Sequence, residues 1–145
     1  MSDTFEPEAW ETAPTNPFLR PARTRVLVAE DDPAMRRIVV GRLRRDGCDV
    51  LEVASGDAAV ATLRASPELA LVIMDVRMPG LSGVEVVHTL RAWKWNTPVL
   101  LMTAFPDPRL VDEAHRLGAR VLAKPFGLAR LSRAVVETLA PWSPR

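Results

Sequence analysis

At the centre of the sequence stands the stretch Leu69-Ala70-Leu71-Val72-Ile73-Met74-Asp75-Val76-Arg77-Met78-Pro79-Gly80. Six apolar residues lead directly into the carboxylate of Asp75, and turn-forming residues follow it. An apolar run without polar alternation predicts a strand buried on both faces, as in parallel sheets covered by helices. Asp75 would then lie at the C-terminal end of that strand, where open α/β sheets bind their ligands.

The composition excludes several classes of protein. The chain has 145 residues, 48% of them hydrophobic and 26% charged, which predicts one globular domain with a full core. A net charge of +1 gives no electrostatic indication of a nucleic-acid partner. The single cysteine, Cys48, can form neither an internal disulfide nor a cysteine metal cluster. Because no apolar run approaches the roughly 18 residues of a membrane span, we expect a soluble, cytoplasmic protein without a membrane segment.

The first 22 residues differ in composition from the rest of the chain. They combine prolines, acids and scattered aromatics without helical or strand periodicity: Pro7, Pro14, Pro17 and Pro21; Asp3, Glu6, Glu8 and Glu11; Phe5, Trp10 and Phe18. This composition predicts a disordered acidic arm over residues 1–22, either a plain solvated extension or a docking segment. A folded domain is expected over residues 23–141, with a short tail at 142–145.

From residue 25 onward, strand and helix patterns alternate five times. Strands are predicted at 26–29, 48–53, 69–75, 99–102 and 121–123, each followed by a helical pattern. Short connections between parallel strands require right-handed crossovers. The pattern therefore predicts an α/β fold, a flavodoxin-like doubly wound (βα)5 sandwich with a parallel five-stranded sheet of order 2-1-3-4-5.

Two helices carry clear start signals, because Asp32-Pro33 and Asp107-Pro108 each place an N-cap residue before a proline at the first helical position. The first of these helices is predicted to bury one set of residues at helical spacing, namely Met35, Ile38, Val39 and Leu43. Its exposed positions are predicted to include Arg36, Arg37, Arg44 and Arg45.

Four of the five predicted strands end in residues suited to phosphoryl chemistry: Glu30 with Asp31, then Asp75, Thr103 and Lys124. Only Lys94 and Lys124 among the 19 basic residues are lysines, so a lysine at a strand end suggests a need for its compact charge. Each residue also has a purely structural interpretation: extra charge beside a helix cap, a turn aspartate, a strand threonine or a surface lysine. His88 and His115 lie away from the strand ends and are interpreted as surface or packing residues.

Together these motifs resemble the receiver domain of bacterial two-component response regulators. The resemblance rests on Glu30-Asp31, Asp75 within 74–83, Thr103-Ala104 and Lys124-Pro125-Phe126, and it covers about residues 24–140. It implies that Asp75 is the phosphoacceptor, that Thr103 donates a hydrogen bond to the phosphoryl group and that Lys124 offsets its charge. It also implies a Mg²⁺ (or Mn²⁺) ion bound by Glu30, Asp31, Asp75 and the backbone carbonyl of Arg77, and a cis Lys124–Pro125 peptide bond.

The resemblance places the chain in phosphorelay signal transduction, as a phosphoprotein carrying an aspartyl phosphate. It implies a sensor histidine kinase or a histidine phosphotransfer protein as donor, and a downstream protein that the sequence does not identify. We expect no classical enzyme, but a protein that catalyses its own aspartyl phosphorylation and dephosphorylation. Since the sequence ends at Arg145, soon after the last helix, a single-domain type without a DNA-binding domain is expected.

Two features depart from the receiver pattern. Val121 occupies the position, three residues before the strand-five lysine, where receivers usually carry Tyr or Phe. Two prolines also stiffen the segment 105–108, which follows Thr103-Ala104. These departures suggest that phosphorylation is read near the rim of the site, through Phe105, and not through the usual aromatic switch.

Two alternatives to the receiver function are considered. A pseudo-receiver would bind proteins through the same fold without phosphorylation. A hydrolase of the haloacid dehalogenase type would require a second aspartate two residues after Asp75, where Arg77 stands.

The arginine-rich first helix has three interpretations. It is a candidate docking surface for an acidic kinase or phosphotransfer bundle, a plain solvated face, or a surface against which the acidic arm folds.

Overall fold

The computed structural model describes residues 24–140. The predicted arm at 1–22 and tail at 142–145 lie outside the described residues. None of the helices between residues 24 and 140 is long and apolar enough to span a bilayer.

Five strands alternate with five helices along the described chain. The strands are β1 Arg25–Ala29, β2 Asp49–Val53, β3 Leu71–Asp75, β4 Val99–Thr103 and β5 Ala119–Ala123. The helices are α1 Pro33–Arg45, α2 Gly56–Ala65, α3 Gly83–Ala92, α4 Pro108–Arg116 and α5 Leu128–Leu139. All four strand pairs are parallel and the order is β2-β1-β3-β4-β5. The predicted fold is therefore confirmed, with small differences at element ends; β5, for example, begins two residues earlier than its pattern indicated.

The core forms two layers because alternate residues of each strand face opposite sides of the sheet. On β1, Val26 and Val28 pack with α1 and α5, whereas Leu27 and Ala29 pack with α2, α3 and α4. The four residues Leu71–Met74 are fully buried, as predicted for a strand covered on both faces. The first polar residue after this buried run is Asp75, which places its carboxylate at the edge of the sheet.

Helix α1 begins as predicted, since the Asp32 side chain accepts a hydrogen bond from the Ala34 amide. Its buried face differs from the prediction, however. Ile38 is 52% exposed, and Val40 is buried in its place. The two residues lie about 160° apart around the helix axis. Because the buried face is formed by Val39, Val40 and Leu43, Ile38 is turned away from the sheet.

Candidate functional site

Three carboxylates converge at the C-terminal ends of β1 and β3. Glu30 and Asp31 follow β1 directly, and Asp75 is the last residue of β3. One carboxylate oxygen of each residue lies within 4.8 Å of one of the others. Glu30 is completely buried, the Asp75 side chain is 15% exposed and Asp31 is open to solvent. Adjacent parallel strands bring these predicted residues together because their C-terminal ends share one edge of the sheet.

Lys124 supplies the positive charge among these acids. Its Nζ lies 2.8 Å from Glu30 Oε1 and 3.3 Å from Asp75 Oδ2. Burial alone would lower the pKa of Lys124, but the hydrogen bond to Glu30 and the negative charge of Asp75 outweigh burial and raise it. The ammonium therefore stays charged while it bridges two strands. The Lys124–Pro125 peptide bond is cis, as predicted.

Glu30 has the most perturbed environment of the three acids. The pKa of Glu30 is raised to about 7, chiefly by burial; the hydrogen bond from Lys124 lowers it, and the neighbouring Asp75 adds to the rise. Its Oε2 is buried and has no hydrogen-bond partner among the described residues. A buried carboxylate oxygen without a partner is unfavourable. A hard cation held by carboxylate oxygens would satisfy this atom, so the donor set fits Mg²⁺.

Thr103 and Arg77 lie at the same edge of the sheet as the acids, Thr103 at the end of β4 and Arg77 in the loop after β3. Thr103 ends β4, one residue beyond Met102, which pairs with Asp75, and it is 3% exposed. Its Oγ1 accepts a hydrogen bond from the Phe105 amide at 3.0 Å. The Phe105 ring is 62% exposed and stacks against the Arg77 guanidinium, 4.9 Å from the ring centroid. These contacts connect the loop after β3 with the loop after β4.

Sequence reasoning missed the role of Arg36, which was expected only to be exposed. Its Nη1 donates to the backbone carbonyl of Glu30 at 2.7 Å, and its Nε donates to Glu52 at 3.2 Å. The guanidinium thus holds the turn that presents Glu30 and Asp31 and ties it to β2. An arginine five residues after the acidic pair Glu30-Asp31 is the only signal in the sequence, and it is too common to be specific.

Gly83 packs closely against the backbone of Asp75. A Cβ added at Gly83 would lie 2.5 Å from the Asp75 carbonyl oxygen and 3.0 Å from a methyl group of Leu101. Neither neighbour can withdraw freely, because one is backbone and the other is in the core. The first residue of α3 must therefore be glycine for β3 and this helix to approach so closely.

We expect Gly83→Ala to lower the free energy of unfolding by about 1–3 kcal/mol, the usual cost of forcing an extra carbon into a packed site. Urea denaturation measures the change. Gly41 is the matched control, because a Cβ added there meets nothing within 4 Å. Gly41→Ala should instead stabilise the protein by about 0.5–1 kcal/mol, since it only removes a mid-helix glycine. Equal effects of the two variants would contradict the proposed steric support.

This arrangement provides the parts for transfer of an anionic group to a carboxylate. Glu30 is sealed from solvent, so Asp75 is the acid in contact with Lys124 that a large donor can reach. A neighbouring ammonium reduces the repulsion between Asp75 and an incoming anion. The buried hydroxyl of Thr103 lies at the end of the adjacent strand.

Known proteins resemble this chain over nearly all of its described residues. The family model for the response regulator receiver domain matches residues 26–136. The transcriptional regulatory protein PdtaR of Mycobacterium tuberculosis is 33% identical over 125 residues, 86% of this chain and 60% of PdtaR. The response regulator protein FleR of Pseudomonas aeruginosa is 38% identical over 117 residues, 80% of this chain and 24% of FleR. The chain thus spans less than two thirds of these two relatives.

A solved structure shows the same fold. The chemotaxis response regulator CheY4 of Vibrio cholerae superimposes with a TM-score of 0.74 at 30% identity, covering 81% of this chain and 100% of the CheY4 chain. The matched region therefore corresponds to a fold that makes up a whole chain in that structure.

Proposed function

This chain belongs to the response regulator receiver domain family of two-component systems, and we propose that it accepts a phosphoryl group on Asp75 from the phosphohistidine of a sensor histidine kinase or histidine phosphotransfer protein. The observation that carries this proposal is the contact of Lys124 with both Glu30 and Asp75 at the edge of the sheet. In this role the protein relays a signal and is not a classical enzyme, although it promotes its own phosphorylation and dephosphorylation.

The proposed transfer moves the phosphoryl group from a histidine nitrogen to a carboxylate oxygen of Asp75. One carboxylate oxygen forms a bond to phosphorus while the phosphorus–nitrogen bond of the phosphohistidine breaks. The nitrogen keeps the electron pair and takes up a proton, which leaves a neutral imidazole. In dephosphorylation, a water oxygen forms a bond to phosphorus while the bond from phosphorus to the Asp75 oxygen breaks. Inorganic phosphate is released and the carboxylate is restored.

Lys124 and Thr103 would stabilise the phosphoryl oxygens during both steps. Lys124 is held close to Asp75 by the buried Glu30, so its charge is positioned before the donor arrives. Thr103 would donate its hydroxyl hydrogen to a phosphoryl oxygen, because the hydrogen bond from the Phe105 amide uses only the hydroxyl oxygen and leaves the hydrogen available. When bound by Glu30, Asp31, Asp75 and the Arg77 carbonyl, Mg²⁺ would neutralise charge that builds up on the phosphoryl oxygens.

Incubation with Mg²⁺ and acetyl phosphate, followed by intact-mass measurement, tests whether the protein is phosphorylated at all. We expect a gain of one phosphoryl group by the wild-type protein and none by Asp75→Asn. A wild-type protein that never gains the group would instead support the alternative, a pseudo-receiver that binds proteins without phosphorylation. A gain that survives in Asp75→Asn would place the acceptor elsewhere.

The outer side of α1 is the surface we assign to the phosphoryl donor. The helix contains five arginines and no acidic residue, which suits an acidic kinase or phosphotransfer bundle. It also begins immediately after Glu30-Asp31, so a donor bound there lies beside the site. Arg36 is excluded from this surface because it is engaged with Glu30 and Glu52.

Readout is proposed to run through Phe105, since Val121 has no aromatic ring to rotate. If the Thr103 hydroxyl moves toward a phosphoryl group, its hydrogen bond with the Phe105 amide must change, and the Arg77 stack on the ring changes with it. We therefore expect beryllofluoride, a phosphoryl mimic, to shift the Phe105 amide NMR signal in the wild-type protein. Residues 105–109 should occupy different positions in crystals with the mimic and in crystals without it.

Thr103→Val is the matched variant, because it keeps the shape of the side chain and removes the hydroxyl. The Phe105 amide should then shift far less on addition of beryllofluoride, while signals near Asp75 still respond. The readout proposal fails if the 105–109 loop is unchanged in both crystals, or if Thr103→Val responds like the wild type.

A further inference from the structure

The outer side of α1 has an unusual charge balance. We call its exposed residues Arg37, Ile38, Gly41, Arg44 and Arg45 the α1 face. Within residues 24–140, Arg37 and Arg45 form no ion pair, and Arg44 reaches Glu52 only at 3.7 Å. Arg37 and Arg45 therefore give the α1 face positive charge that no ion pair within the described residues neutralises.

Apolar features accompany this charge. Ile38 is 52% exposed, although it is the residue on this side best suited to a core. Gly41 is an exposed mid-helix glycine with nothing within 4 Å of a Cβ position, and such a glycine is less favourable in a helix than alanine. Beside it lies a groove of about 240 Å³, which is lined by Pro33 and Val40, by Arg37 and Arg44, and by the ion pair of Arg36 with Glu52. Since a cavity of about 150 Å³ can hold benzene, the groove has room for one aromatic ring.

The first residues of the same chain have the complementary chemistry. Residues 1–22 contain four acids, all within the first 11 residues, and one basic side chain, Arg20. Three aromatic residues, Phe5, Trp10 and Phe18, lie in the same segment. A segment with negative charges and aromatic rings matches a surface with positive charges, an exposed isoleucine and an open groove.

The point where this segment joins the fold lies close to the α1 face. The carbonyl of Thr24 accepts a hydrogen bond from the Asp49 amide at 3.0 Å, and the Cys48 amide donates to Leu43 near the end of α1. The chain therefore enters the fold beside the C-terminal end of that helix. Trp10 precedes Thr24 by fourteen residues, a reach of up to about 46 Å. The whole 13-residue helix is only about 20 Å long.

We propose that residues 1–22 dock on the α1 face of their own chain, with an aromatic ring in the groove beside Gly41 and the acids next to Arg37 and Arg45. Docking there would cover the surface assigned above to the phosphoryl donor, and this regulatory consequence rests on the proposed function. The arm would then act as an autoinhibitory segment, which a tighter-binding acidic partner displaces.

Paramagnetic relaxation in the full-length chain tests the docking without any phosphorylation. Cys48 is buried, and burial raises the pKa of its thiol to about 11. A nitroxide reagent will therefore react with a cysteine introduced by Thr12→Cys and not with Cys48. We expect broadening of the amide signals of residues 34–45 that weakens at high salt. The double variant Arg37→Gln with Arg45→Gln should abolish it.

The matched control is Arg130→Gln with Arg133→Gln, which removes the same charge from exposed positions of α5 and should leave the broadening intact. Broadening that is absent, uniform over the surface, or equally sensitive to both double variants would overturn the proposal. Broadening transferred from a labelled to an unlabelled chain in a mixture would show docking on a second copy, which also overturns it.

Phosphorylation rates test the regulatory consequence. In the full-length chain, Glu6→Gln, Glu8→Gln and Glu11→Gln together should raise the rate of transfer from a phosphohistidine donor protein by about 5-fold or more. The rate with acetyl phosphate should not change, because that donor needs no docking surface. An unchanged rate with the protein donor would overturn the inhibition. If neither the protein donor nor acetyl phosphate phosphorylates the wild-type protein, the proposed function is wrong. The relaxation data would still decide whether the arm docks.

Discussion

Lys124→Met will slow phosphorylation of Asp75 by about 100- to 1,000-fold, the usual loss when one preorganised charge stabiliser is removed. The reason lies in the 3.3 Å contact between Lys124 Nζ and Asp75. Without this ammonium, the incoming phosphoryl group meets a cluster of acids whose carboxylates contact no other cation of residues 24–140. The rate of mass gain with acetyl phosphate and Mg²⁺ measures the effect.

The chain offers a matched control for this variant in its other lysine. Lys94 is exposed and follows α3, so Lys94→Met removes the same charge away from the acids. It should leave the phosphorylation rate unchanged. If both lysine variants slow the reaction equally, or neither does, Lys124 has no direct role in the transfer.

Asp31→Asn will weaken Mg²⁺ binding by about 100-fold or more, beyond the 10- to 100-fold that loss of an outer-shell partner produces. Asp31 contributes an exposed charged oxygen to the set of three acids whose ligand atoms lie within 4.8 Å. An amide oxygen in its place carries no net charge and satisfies a hard cation less well. Calorimetric titration with Mg²⁺ measures the affinity directly.

Asp32→Asn is the control, because it removes the same charge one residue further along. Asp32 caps α1 through the Ala34 amide, and asparagine is an equally good N-cap residue. Magnesium affinity should therefore change little. Equal losses in the two variants would mean that overall negative charge, and not ligation by Asp31, holds the ion.

The fold could be predicted from the sequence because the apolar runs and the helix start signals indicated the same alternation of strands and helices. The continuous apolar run before Asp75 demanded a doubly covered strand, and Asp-Pro pairs marked the starts of α1 and α4. Parallel strands also made the site predictable, since residues at strand ends must share one edge. Glu30, Asp75 and Lys124 are in contact there, as that geometry requires.

Contacts between side chains of distant segments were beyond the reach of the sequence. Arg36 looked like one of several exposed arginines until its bonds to Glu30 and Glu52 were visible. The stack of Arg77 on Phe105 depends on the path of two loops, which no periodicity describes. The wrong prediction for Ile38 has a similar origin, because the sequence places apolar residues on both sides of Val39.

Mapping the modified residue tests the central claim most directly. After reaction with acetyl phosphate and Mg²⁺, borohydride reduces an acyl phosphate to an alcohol, and peptide mass spectrometry then locates the altered side chain. We predict reduction at Asp75 alone, and none in Asp75→Asn. Reduction at Asp31 or another acid, or a stable phosphate on a hydroxyl residue with Asp75 unmodified, would contradict the assignment of Asp75 as the phosphoacceptor.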